Sequence, residues 1–175
     1  MILLFTGNGK GKTTAALGQA MRALGRGKKV LMIQFIKGPW RSGEDEFGER
    51  FQIPAEKFEL RKMGLGFVGI LGDKLPREEH EKAAQRALEY FSEQLRSGNW
   101  NVFILDEVNV ALSLNLLKIE DVLAAIKDFP EEKLLVLTGR GAHQKLIEAA
   151  DVVTEMKDMK HPFHDGKLAK FGVEF

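Results

Sequence analysis

Four apolar residues, Ile2 to Phe5, run directly into Thr6-Gly7-Asn8-Gly9-Lys10-Gly11-Lys12-Thr13-Thr14. A short buried strand that empties into a glycine-rich turn ending Gly-Lys-Thr constrains this chain more than any other segment. Glycines let backbone N–H groups converge on phosphate oxygens, and a helix starting at the turn adds its partial positive charge. Lys12 supplies a mobile cation for terminal phosphates, and the Thr13 hydroxyl suits a Mg²⁺ ion that travels with them. The standard spacing is a glycine, four residues, then Gly-Lys-Ser/Thr. Here Gly7 leaves only three intervening residues, and Thr6 stands at the strictly spaced position. The loop is one residue short. A glycine turn that merely joins strand to helix is the alternative reading.

Strands and helices alternate along the rest of the chain. Residues 13–24 read as a helix whose apolar stripe is Leu17, Ala20, Met21 and Leu24, stopped by Gly25 and Gly27. Residues 29–36 form a second strand, interrupted by Gln34, and 38–50 a polar loop. A third strand falls near 57–63, followed by a loop over 64–75 with four glycines. Pro76 opens a long helix that Gly98 closes, with Ala84, Leu88, Phe91 and Leu95 as its core stripe. Further strands are expected at 101–105, 133–138 and 151–156, with helices over 109–127 and 143–149 and an irregular tail from 157. Several strands are apolar throughout, as when both faces of a sheet are covered. The expectation is one three-layer α/β domain over residues 1–175 with a mostly parallel sheet, of the P-loop NTPase-like (RecA-like) kind. At 175 residues such a domain buries about 70% of its unfolded surface.

Ligands of such sheets sit at the carboxyl ends of the strands. Residues 7–13, 106–107 and 138–140 all fall there. Asp106-Glu107 occupies the place of a Walker-B acidic pair, where a carboxylate holds Mg²⁺ directly or through water. Either residue also suits the N-cap of the helix beginning near 109. Arg140 can clamp phosphate with two parallel bonds, or be a surface arginine. Arg22 lies on the row Thr14-Gly18-Arg22 of the first helix, facing nucleotide or solvent. Phe67 and Phe163 are loop aromatics that can line a flat ligand or cover core edges. His161 and His164 have a metal-compatible spacing but no further ligand cluster beside them.

Cysteine is absent, which removes disulfides and thiolate zinc sites and fits a reducing compartment. The 26 basic and 25 acidic residues nearly balance, so no general attraction to nucleic acid is indicated. No run reaches membrane-span length and no signal peptide is legible, making the cytoplasm the expected location. At this level an ATPase, in which Glu107 activates water, competes with a transferase and with a non-catalytic nucleotide-binding module.

The stretches 6–18, 20–25, Gln34-Phe35-Ile36-Lys37-Gly38, Leu105-Asp106-Glu107, 137–143, 159–163 and 166–175 together resemble the P-loop ATP:corrinoid adenosyltransferases. The short loop is itself a mark of that family. The resemblance implies transfer of the 5′-deoxyadenosyl group of ATP to Co(I) of a reduced corrinoid, with release of triphosphate. Cobalt is the nucleophile, so no side-chain base is needed. It further implies ATP bound with its γ-phosphate deep in the loop and its adenosyl end outward. Gly7, Asn8, Gly9, Lys10, Gly11, Lys12, Thr13 and Thr14 would then hold the triphosphate, and Lys12, Glu107 and Arg140 would serve the transfer. Thr13 and Glu107 would serve Mg²⁺ (or Mn²⁺), and Arg22 and Arg140 the polyphosphate or ribose. Phe67, and in second place Phe163, would lie by the corrinoid. Where the family usually carries a tryptophan two positions after that phenylalanine, this chain has Gly69, so the resemblance implies that the aromatic's role is either weakened or taken by another residue, such as Ile70 or Phe163. The resemblance also carries the expectation that this chain opens directly on its first strand, where some members have an N-terminal segment before it. A homodimer and a reducing partner such as a flavoprotein are implied by the family alone.

Overall fold

The computed structural model describes residues 1–70, 72–162, 166 and 168–173. Its elements are β1 (Ile2–Thr6), α1 (Lys12–Gly25), β2 (Val30–Gln34), α2 (Gly43–Arg50), β3 (Phe58–Lys62), α3 (Arg77–Ser97), β4 (Val102–Asp106), α4 (Val108–Ser113), α5 (Ile119–Ile126), β5 (Leu134–Thr138), α6 (Gln144–Ala149) and β6 (Val152–Glu155). The six strands form one sheet in the order β3-β2-β4-β5-β1-β6. Every pairing is parallel. The sheet is therefore wholly parallel, and the ends of β1, β2, β4 and β5 all face the same side.

Alternate residues of each central strand enter different cores, which is why these strands read as unbroken apolar runs. Leu4, Leu31, Ile33, Phe103, Leu105, Leu135 and Leu137 pack on one side, under Ala84, Leu88 and Phe91 of α3, Val108 of α4, Val122 of α5 and Leu146 of α6. Leu3, Phe5, Val30, Met32, Val102, Ile104 and Val136 pack on the other, under Ala16 and Ala20 of α1. The three layers follow from these two apolar faces.

Three local expectations change. Met21 is 66% exposed, so the buried stripe of α1 centres on Ala16 and Ala20 instead. The polar segment 38–50 contains α2, whose first turn carries Glu44, Asp45 and Glu46 and whose last carries Arg50. Those charges oppose the helix dipole at both ends. The Asp45 carboxylate also accepts from the backbone N–H of Ser42 at 2.6 Å and its hydroxyl at 2.9 Å, the return half of a capping box. The stretch 109–127 is two helices rather than one. The break follows Asn115, whose φ of +54° ends the turn in a conformation asparagine tolerates. The long helix agrees with its punctuation: Pro76 caps α3, and Gly98 ends it at φ +72°.

Candidate active site

The phosphate loop joins β1 to α1. Gly9 donates its N–H to the Met156 carbonyl at 2.7 Å, fastening the loop to the chain just after β6. A Cβ on Gly9 would meet the Lys157 carbonyl oxygen at 2.6 Å, and one on Gly7 the Met156 oxygen at 2.4 Å. These glycines are thus demanded by close backbone approach as well as by any phosphate. Lys12 is buried, and its ammonium donates to the carbonyls of Gly7 and Gly9, both at 2.8 Å. Burial lowers its pKa; Arg140 pushes in the same direction, while Glu107 and Asp106 pull it up. Asn8, Lys10 and Thr14 are exposed around the loop.

Asp106, at the end of β4, is fully buried. Its Oδ1 accepts from the Thr13 hydroxyl at 2.9 Å and the Thr138 hydroxyl at 2.7 Å. Its Oδ2 accepts from Gln34 Nε2 at 3.2 Å and lies 3.9 Å from the Lys37 ammonium. Thus the ends of four structural segments meet on one carboxylate. Gln34 reaches it because β2 and β4 place the two residues side by side in register. Lys37 also pairs with Glu44 of α2, to which Gln34 donates at 3.3 Å. Burial pulls the Lys37 pKa down, but Asp106 and Glu44 outweigh it, leaving the ammonium above its ordinary value. Burial pushes Glu44 up, and the hydrogen bond and charge of Lys37 overcome that, leaving its carboxyl low.

Glu107 occupies the N-cap position of α4, yet its side chain makes no capping bond. Its φ is +63°, a left-handed conformation uncommon outside glycine and found where a site over-determines the backbone. Its N–H donates to the Thr138 hydroxyl at 2.9 Å, while its Oε2 is buried without a partner. Burial, then the charge of Asp106, raises its pKa; Lys12, Lys37 and Arg140 pull the other way. A buried carboxylate oxygen lacking a donor beside a second carboxylate fits a cation that arrives with its ligand. Among the described residues no group of three or more His, Cys, Asp or Glu is placed to hold a metal. That donor set suits Mg²⁺, which takes one or two carboxylates and leaves the rest to phosphates and water.

Arg140 is exposed just past β5, close enough for its charge to act on both Lys12 and Glu107. Arg22 is different: it sits in the last turn of α1, exposed and about 15 Å along the axis from Lys12 at 1.5 Å per residue. Phe67 is exposed between β3 and α3, its ring centroid 5.6 Å from that of Trp40. Phe163 and His164 lie outside the described residues. Gln34, Lys37 and Glu44 were not expected here. Gln34 as the one polar interruption of an apolar strand, and Ser42 three residues before Asp45, were the available signals.

A nucleotide-binding domain of the P-loop class is what this sheet and this site define. Solved structures agree at the level of fold. A KaiC-like protein of Pyrococcus horikoshii superimposes with TM-score 0.53 over 89% of this chain and 70% of its own, at 15% identity. The flagellar accessory protein FlaH of Methanocaldococcus jannaschii gives 0.55 over 88% and 69%, at 13% identity. The sequence is narrower. Residues 1–175 match the family profile of the ATP:corrinoid adenosyltransferases BtuR/CobO/CobP. A corrinoid adenosyltransferase of Pseudomonas aeruginosa is 41% identical across the whole of this chain and 83% of its own length. One of Escherichia coli K12 is 37% identical across the whole chain and 85% of its own. The chain belongs to the ATP:corrinoid adenosyltransferase family.

Proposed function

We propose that this site presents C5′ of ATP to Co(I) of a reduced corrinoid. The cobalt electron pair forms the Co–C5′ bond, the C5′–O5′ bond breaks, and triphosphate leaves with the electrons of that broken bond. The observation that carries this reading is the gathering of Lys12, Thr13, Asp106, Glu107 and Arg140 around a short phosphate loop in a chain matched to the family from end to end.

The leaving group is a polyanion, so the protein's task is positioning and charge neutralisation. Lys12 exchanges the carbonyls of Gly7 and Gly9 for phosphate oxygens, and Arg140 closes over the phosphates from the end of β5. Asp106 holds the Thr13 hydroxyl in place. Thr13 and Glu107 are the groups that would hold Mg²⁺, with Asp106 behind them. When bound, that ion neutralises phosphate charge. Phe67 faces the corrinoid. Arg22 would reach the polyphosphate or ribose only from the far end of α1, about 15 Å along the axis from Lys12. A homodimer, a flavoprotein reductant and a cytoplasmic setting belong to the same reading; among the described residues no helix is long and apolar enough to cross a membrane.

Incubation with ATP, Mg²⁺ and chemically reduced cobalamin tests it. Adenosylcobalamin and triphosphate are the expected products. ADP and phosphate formed without corrinoid would instead assign Glu107 to water activation, the ATPase reading that its unpartnered Oε2 keeps chemically open.

A further inference from the structure

Trp40 is the larger part of an aromatic wall that nothing in the nucleotide site uses. The chain has two tryptophans, and they are treated oppositely: Trp100 is buried at 5% exposure, whereas Trp40 is 62% exposed. A large exposed apolar side chain is informative when it is held rather than loose. Trp40 is held. Its ring lies so close over Gly38 and Gly66 that a Cβ on either would come within 2.8 Å and 3.0 Å of it. Its carbonyl accepts from the Lys62 ammonium, which also pairs with Asp45 of α2. Its ring centroid is 5.6 Å from that of Phe67, tilted by 39°. Ile70 and Leu75 of the same loop are exposed as well. Gly69, two residues after Phe67, has open space where a side chain would stand.

The wall is also in the right place. Trp40 is three residues beyond Lys37, whose ammonium lies 3.9 Å from Asp106 at the phosphate site. It therefore rises from the same ends of the sheet as the loop that holds the nucleotide. A corrin ring is a broad, flat, mostly apolar disc with a polar fringe, and aromatic faces bind such surfaces with little entropy to lose.

We infer that Trp40, with Phe67, forms the face against which the corrin macrocycle rests. The inference depends on the adenosyltransferase reading and adds to it a second aromatic, contributed from the β2–α2 segment rather than from the loop of Phe67. The occupant is the reduced corrinoid substrate, not the adenine of ATP.

Steady-state transfer from MgATP to chemically generated cob(I)alamin, on three variants, tests this. Trp40→Ala should raise the corrinoid KM about tenfold or more, the scale of a lost aromatic contact, and leave the ATP KM within about twofold. Trp40→Leu, which keeps apolar bulk without a flat ring, should do the same at an unchanged melting temperature. Trp40→Phe should recover most of the corrinoid affinity. An unchanged corrinoid KM in Trp40→Leu overturns the inference. So does a matched rise in both KM values without recovery in Trp40→Phe, which would make Trp40 a structural support. Wild-type protein that forms no adenosylcobalamin would sink the adenosyltransferase reading itself, a result separate from either.

Discussion

Glu107 illustrates how a single side chain can be expensive to the fold and useful to the site. Its carboxyl is pushed up by burial and by Asp106, and its Oε2 has no donor. A folded pKa above the unfolded one means the ionised group costs stability above the folded value, and the cost is relieved as pH falls toward the unfolded one. Glu107→Gln should therefore stabilise the nucleotide-free protein by about 1 kcal/mol, raising the melting temperature by about 2–4 °C, while lowering the transfer rate and the apparent Mg²⁺ affinity. A loss of melting temperature with unchanged kinetics would return Glu107 to a structural role. The Lys37–Glu44 pair behaves in the opposite sense. Lys37 is raised, so its contribution is complete below the ordinary lysine range and lost as pH rises through its folded value; Glu44 is lowered, so its contribution is complete above the ordinary glutamate range and lost as pH falls. Glu44→Gln should cost about 1 kcal/mol or less near pH 7, because Lys37 is partly exposed, and that difference should vanish in acid. Denaturant midpoints of the two proteins at pH 7 and well below the ordinary glutamate range measure it.

Among the elements, the loop joining β3 to α3 has one carboxylate, that of Asp73, tying its own backbone to α3. Asp73 accepts from the N–H groups of Gly69 and Leu75 at 2.8 and 3.0 Å, and its Oδ2 lies 3.0 Å from Nε2 of buried His80 on α3. Asp73→Ala should free this segment, raising amide hydrogen exchange over residues 66–75 while leaving exchange in β1 and β4 as it was. How far such elements can be read from sequence depends on what makes them. β1, β4 and β5 were legible because strands buried on both faces leave unbroken apolar runs, and α3 because Pro76 and Gly98 bracket it. α2 was not, since it has no buried residue and its stability comes from Ser42, Asp45 and the packing of Phe47 on Phe58. The site divides in the same way. Lys12, Thr13, Asp106 and Glu107 were legible because each ends a strand or opens a helix, and Arg140 because it follows the end of β5 by two residues. Gln34 and Lys37 were not, because they reach Asp106 only through the lateral register of β2 on β4, which no local pattern encodes, and neither was Glu44, which meets those two from α2.

At the scale of the molecule, α1, β2 and β5 converge on Asp106 of β4, and among the described residues the buried atoms Gln34 Oε1, Glu107 Oε2 and Asn109 Oδ1 lack partners. A ligand that bridges these segments should stabilise the whole domain. MgATP at about a hundred times its Kd should add about 2.7 kcal/mol to unfolding. Thermal melts with MgATP, with ATP and EDTA, and with Mg²⁺ alone check this. The full shift is expected only when metal and nucleotide are present together; an equal shift with Mg²⁺ alone would mean a resident metal site.

The bond from Gly9 to Met156 has a further meaning in time. Gly9→Ala, whose Cβ would strike the Lys157 carbonyl, should cost about 1–3 kcal/mol and weaken ATP binding, read by denaturant melts and nucleotide titration. The cause is that the loop after the first strand takes its shape from the residue just after the last described strand, β6. During synthesis the phosphate loop is made well before the Met156 carbonyl that completes it. Nascent chains stalled before β6 should carry every residue of the nucleotide motif and still be unable to hold a nucleotide.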